Sequence, residues 1–147
     1  MKRTIYFDMD GTIADLYGVT NWLEYIMEEN TIPYEVAKPL LRLSALAKIL
    51  NRLQREGFKI GIISWLSKSG SEEYNKKVAA EKEKWLRTHL KSVQFDEIHI
   101  VKYGTTKDNF RNTDKDILFD DEEKNRKEWC GQAYDVNNIL EILKGIS

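Results

Sequence analysis

Apolar positions follow two rhythms along this chain. Thr4-Ile5-Tyr6-Phe7 is a short β-branched and aromatic run that stops at Asp8, which predicts a buried strand running into a loop. From Leu40 to Leu53, apolar residues recur at three- and four-residue steps (Leu43, Leu46, Ile49, Leu50, Leu53), the spacing of an amphipathic helix. Gly57 stands where the end of that helix favours positive φ. A second strand is predicted over Lys59–Ser64, a long solvated helix over Ser71–Leu90, and a third strand over Glu97–Val101. Asp116–Phe119 predicts a fourth strand ending on Asp120-Asp121. Ala133-Tyr134 predicts a short fifth, before a helix through Ile139, Leu140 and Leu143.

Strands alternating with helices imply an α/β fold: a three-layer, Rossmann-like parallel sheet with right-handed crossovers. Numbered along the chain, the strands are expected in the order 3-2-1-4-5. The segment 14–39 breaks the alternation: Trp22, Leu23, Ile26 and Met27 suit one face of a helix, while Pro33 and Pro39 punctuate the stretch after it. It is read as a small helical cap inserted after strand 1, above the strand ends where open α/β sheets bind ligands. No repeat or linker divides the 147 residues, so residues 1–147 are read as a single domain.

Composition narrows the functional classes. Lys and Arg number 23 against 24 Asp and Glu, so no global field favours nucleic acid or an anionic membrane. No apolar run approaches a membrane span, and the start Met1-Lys2-Arg3 leads straight into a strand. With Cys130 as its one cysteine, the chain cannot form an internal disulfide, and a cytoplasmic location is expected.

Parallel strands all end on one side, which would bring together Asp8 and Asp10, Ser64, and Asp120 and Asp121. Carboxylates gathered in one cleft need a cation, and all-oxygen ligation suits Mg²⁺. A carboxylate beside such an ion can attack phosphorus to give an aspartyl-phosphate, while a second, two residues on, protonates the leaving oxygen and later activates water. Lys107, in the Gly104–Lys107 turn, is the favoured phosphate-binding lysine, with Lys102 as the alternative.

Asp8-Met9-Asp10-Gly11-Thr12, Ser64, Lys107 and Asp120-Asp121 resemble, in order, the four motifs of the haloacid-dehalogenase-like phosphohydrolases. That resemblance implies Asp8 as nucleophile, Asp10 as general acid/base, and a magnesium site made by Asp8, the Asp10 backbone carbonyl and Asp120, with Asp121 supporting bound water. It also implies that Gly11, Thr12, Ser64, Trp65 and Lys107 surround the phosphate. Motif I extended through Ile13-Ala14-Asp15, the Glu81–Leu86 segment and Leu118-Phe119-Asp120-Asp121 are similar to the 5'(3')-deoxyribonucleotidase branch. The implied partner is a small-molecule phosphate ester, a nucleoside monophosphate. Leu16, Trp65-Leu66 and the short insert depart from that branch, so weak base selectivity is expected.

Tyr17, Trp65 and Tyr103 are the candidates for contacting a base, with Trp65 and Tyr103 equally able to serve structure, while Trp22 is expected in the core. His89 and His99 are read as structural. Lys68, Lys76, Lys77, Lys82 and Lys84, interleaved with glutamates, are read as a solvated helix face. Two other classes share parts of the pattern. A receiver domain would carry its phosphorylated aspartate on the middle strand, where this chain has Ser64. A binding module without turnover would be expected to lack the nucleophile, and here Asp8 is present. Another small or polynucleotide phosphoester is the alternative substrate.

Overall fold

The computed structural model describes residues 3–146; Met1 and Lys2, part of the lead into the first strand, lie outside the described residues. In chain order the elements are β1 (Thr4–Phe7), β2 (Ala14–Asp15), α1 (Trp22–Met27), α2 (Ile32–Val36), β3 (Lys38–Pro39), α3 (Leu43–Arg55) and β4 (Lys59–Trp65). They continue with α4 (Glu72–His89), β5 (Glu97–Val101), β6 (Ile117–Phe119), α5 (Glu123–Glu128), β7 (Gln132–Tyr134) and α6 (Ile139–Lys144). Five strands pair in the order β5-β4-β1-β6-β7, all parallel, which is the topology read from the sequence.

Alternation along the strands divides the core. Ile5, Phe7, Ile60, Ile62, Ile117 and Phe119 share one cluster with Leu46, Leu50 and Leu53 of α3, Trp85 and Leu86 of α4, and Leu143 of α6. Tyr6, Ile63 and Leu118 form another with Trp129, just after α5, and partly buried Phe110. The second layer is therefore thinner than the first. Gly57 takes φ +102°, and the next residue, Phe58, donates its backbone N–H to Leu53 O at 3.0 Å, closing the end of α3. At the start of α4 the Ser71 hydroxyl accepts from Tyr74 N at 3.1 Å, with Glu72 and Glu73 in the first turn.

The segment 14–39 is less purely helical than its sequence predicts. β2 and β3 pair antiparallel, Ala14 with Pro39 and Asp15 with Lys38, and close the base of a loop that carries α1 and α2. That loop is fastened to α4. The Glu29 carboxylate accepts from the Ser71 N–H and hydroxyl, both at 2.8 Å; Tyr74 Oη donates to Asn30 O at 2.9 Å, and Trp85 Nε1 to Ala37 O at 2.8 Å. Trp22 departs from the expected core position: α1 buries none of its residues, and its apolar side borders a cleft instead.

Candidate active site

β1 and β6 are adjacent, and the chain leaves them toward opposite halves of the sheet, so a crevice opens at their carboxyl ends. Asp8 follows β1 and Asp120 follows β6. One oxygen from each of Asp8, Asp120 and Asp121 lies within 4.8 Å of the others. Lys107, only 2% exposed, donates to Asp8 Oδ1 at 2.9 Å and Asp120 Oδ2 at 2.7 Å. Lys102 is exposed, and its backbone carbonyl caps the turn that delivers Lys107 by accepting from Thr105.

One ammonium among three carboxylates leaves the cluster electron-rich, and the protonation equilibria show the strain. Burial, reinforced by Asp8, pushes the Asp121 carboxyl up to about 8 and Asp120 up to about 6, although Lys107 opposes the second. Burial would lower Lys107, yet Asp8 and Asp120 outweigh it and raise its pKa. Asn125 is buried beside the cluster and donates to Asp120 Oδ2 at 3.1 Å, while its own Oδ1 has no partner. Excess carboxylate and an orphaned carbonyl acceptor together fit a hard divalent cation and its water. Asp8, Asp120 and Asp121 are the side chains that would hold it.

The turn after β1 is built on Gly11, whose φ is +80°. A methyl group there would collide with the Asp121 carboxylate and come within 3.0 Å of the Tyr17 ring. Its N–H donates to Ala14 O at 2.9 Å and that of Thr12 to Met9 O at 3.1 Å, so these groups shape the turn rather than face an incoming phosphate. The buried Thr12 hydroxyl donates to Asp8 Oδ2 at 3.1 Å. Ser64 is fully buried, and its Oγ accepts from Lys82 Nζ at 2.7 Å.

Lys82 corrects the reading of a solvated lysine face. It is 1% exposed, and besides Ser64 it donates to Asp10 Oδ2 at 2.8 Å and Trp65 O at 2.8 Å. Its position was visible in the spacing, since Tyr74, Val78, Lys82 and Leu86 recur every four residues and share the buried side of α4. Burial raises the Asp10 carboxyl, with Lys82 opposing.

Above the carboxylates lies a cleft of about 280 Å³ with aromatic walls. Trp65 and Tyr103 meet at 4.9 Å between centroids on one side, and Trp65 Nε1 donates to Thr105 O at 2.9 Å. Tyr17 and Trp22 meet edge-to-face at 4.9 Å on the insert. His89 packs on Trp85, His99 pairs with Glu97 at 2.8 Å, and Cys130 is exposed; none of the three lines the cleft.

The fold and site together define a Rossmann-like α/β protein with an acidic, lysine-bridged centre at its topological switch point. Among solved structures, the D,D-heptose 1,7-bisphosphate phosphatase from Burkholderia thailandensis shares this fold, with a TM-score of 0.54, 11% identity and 97% of each chain covered. No family model and no curated protein matches the chain. No helix among the described residues is long and apolar enough to cross a membrane.

Proposed function

We propose that this protein is a magnesium-dependent phosphomonoesterase that works through an aspartyl-phosphate on Asp8. The observation that carries this reading is Lys107 bridging Asp8 and Asp120 at the floor of an open cleft. A structural neighbour that is itself a phosphatase supports it.

A carboxylate oxygen of Asp8 attacks phosphorus, the bond from phosphorus to the leaving oxygen breaks, and that oxygen takes a proton from Asp10. Asp10 then accepts a proton from water as the water oxygen attacks phosphorus. The bond from Asp8 to phosphorus breaks, releasing inorganic phosphate. Lys107 offsets negative charge on the nucleophile and the phosphoryl group. Magnesium held by Asp8, Asp120 and Asp121, with the Asp10 backbone carbonyl, would supply further charge neutralisation and orientation of the phosphoryl oxygens. Gly11 and Thr12 shape the turn after β1 that carries Asp8 and Asp10, while Ser64 and Trp65 end the neighbouring β4, and we place the phosphate between these two strand ends.

We read segment 14–39 as a cap and the substrate as a nucleoside 5'-monophosphate, a deoxyribonucleotide first among them. Tyr17, Trp65 and Tyr103 offer a base flat apolar surface, and stacking of that kind contributes about 1–3 kcal/mol per base. Leu16, where an aromatic would give further contact, presents only an aliphatic side chain to the cleft and packs with Tyr34 and Tyr74, so selectivity among bases is expected to be weak. The test is kcat/KM for several deoxynucleoside monophosphates and a generic aryl phosphate, each with magnesium and with EDTA. Hydrolysis that requires magnesium and favours the nucleotides is expected. An equal or better rate on the aryl ester overturns the nucleotide assignment, and undiminished activity in EDTA overturns the metal.

A further inference from the structure

We propose that Lys82 is a positioning residue for Asp10, fixing the carboxylate that donates a proton to the leaving group; this rests on the phosphatase reading of the site. Three observations converge on it. First, a Lys82 ammonium has three N–H bonds, and the three acceptors around it match them: Ser64 Oγ at 2.7 Å, Trp65 O at 2.8 Å and Asp10 Oδ2 at 2.8 Å. Two of those acceptors belong to β4, which is hydrogen-bonded on both sides within the sheet. The ammonium is thus anchored to a rigid strand, and its third bond holds Asp10.

Second, the side chain cannot wander. It leaves α4 between the buried positions Val78 and Leu86, is 1% exposed, and its Nζ lies 5.4 Å from the centre of the Tyr34 ring on α2. With its donors committed and no surface in the cleft, Lys82 acts on Asp10 rather than on the substrate. Third, Asp10 lines the cleft, and Oδ1, the oxygen that Lys82 does not hold, has no protein partner among the described residues. One oxygen is pinned while the other is presented to the ester. A carboxylic acid on a two-residue offset in an irregular loop would otherwise rotate about its side-chain bonds, and a misplacement of about 1 Å can cost on the order of 100-fold in rate.

The role makes a prediction that depends on the leaving group. When the bond from phosphorus to oxygen breaks, a poor alkoxide leaving group needs the proton from Asp10, whereas an activated nitrophenolate departs without it. Wild type, Lys82→Met and Lys82→Arg are compared on a nucleoside 5'-phosphate and on 4-nitrophenyl phosphate, with a thermal melt for each variant. Lys82→Met is expected to lose kcat on the alkyl ester by on the order of 100-fold, the scale of lost general-acid assistance. On the nitrophenyl ester the loss should be only a few-fold, with KM little changed on both. Lys82→Arg should recover part of the alkyl rate. Equal losses on the two esters, or no loss on the alkyl ester, would overturn the proposal. If Lys82→Met fails to melt cooperatively, the same comparison on Lys82→Arg decides, because it keeps the charge and displaces the donors. A wild type that hydrolyses neither ester refutes the phosphatase reading itself, and this role with it.

Discussion

Lys107 sits where three carboxylates would otherwise face one another across a few ångströms, and two of the three accept its ammonium directly. Breaking a buried ion pair from one side costs more than the pair contributes, because the abandoned charges remain out of water; the usual loss is about 3–5 kcal/mol. Lys107→Met is therefore expected to lower the melting temperature in the absence of metal by on the order of 10 °C, with magnesium restoring part of the loss, as calorimetry would show. An unchanged melt would show that the Lys107 bridge contributes nothing to folding stability. The same scale shows where the sequence was silent. Asp8, Asp10, Lys107 and Asp120 stand in a recognisable order along the chain, so their convergence was readable. Lys82 was overlooked although its four-residue spacing from Val78 and Leu86 marks the buried side of α4, because the Lys and Glu residues interleaved around it read as a solvated face. Asn125 lies in a charged run on a helix too short to show a period.

At the scale of the elements, β4 is instructive because a missing side chain links its two neighbours. A methyl group on Gly61 would lie 2.8 Å from the Tyr6 ring, so only glycine lets that ring pass over β4. Tyr6 on β1 thereby reaches Glu97 on the edge strand β5, donating to Oε1 at 2.8 Å, while Asn112 donates to Oε2 at 2.8 Å. Burial alone would raise the Glu97 carboxyl, but hydrogen bonds from His99, Asn112 and Tyr6 outweigh it and hold it below the ordinary 4.5. A carboxylate depressed on folding stabilises above its unfolded pKa, and that stabilisation is lost as pH falls through the folded value. Glu97→Gln should therefore be less stable than wild type at pH 7, with the difference closing below about pH 4.5, as urea melts across that range would reveal. A constant gap would show that the contact is geometric only. β1 and β4 were legible from their apolar runs, and β5 from the β-branched residues Ile98, Ile100 and Val101. The two-residue strands β2 and β3 were not, since pairing of Ala14-Asp15 with Lys38-Pro39 is set by the fold around them rather than by local preference. The helix α1 was legible from Trp22, Leu23, Ile26 and Met27, but what its apolar side meets was not, so Trp22 was read as core although it borders the cleft.

For the whole molecule, topology does the work of bringing the acids together. β1 lies at the centre of the sheet with β4 and β6 on either side, so residues 8, 64 and 120 leave adjacent strand ends although 112 positions separate the first from the last. The insert is clamped to α4 by Glu29, Asn30 and Ala37, and α4 in turn sends Lys82 to Asp10, so roof and floor are joined through one helix. Such an arrangement suits covalent catalysis in a cleft that stays open to its substrate. The central claim is that Asp8 carries the phosphoryl group during turnover. Protein quenched during magnesium-supported turnover, treated with borohydride and digested, should show homoserine at position 8 by mass spectrometry, the product of reducing an aspartyl-phosphate. Asp8→Asn should show none, with turnover reduced by on the order of 10⁴-fold or more. Sustained turnover with position 8 unmodified in the wild type, or an active Asp8→Asn protein, would contradict the account.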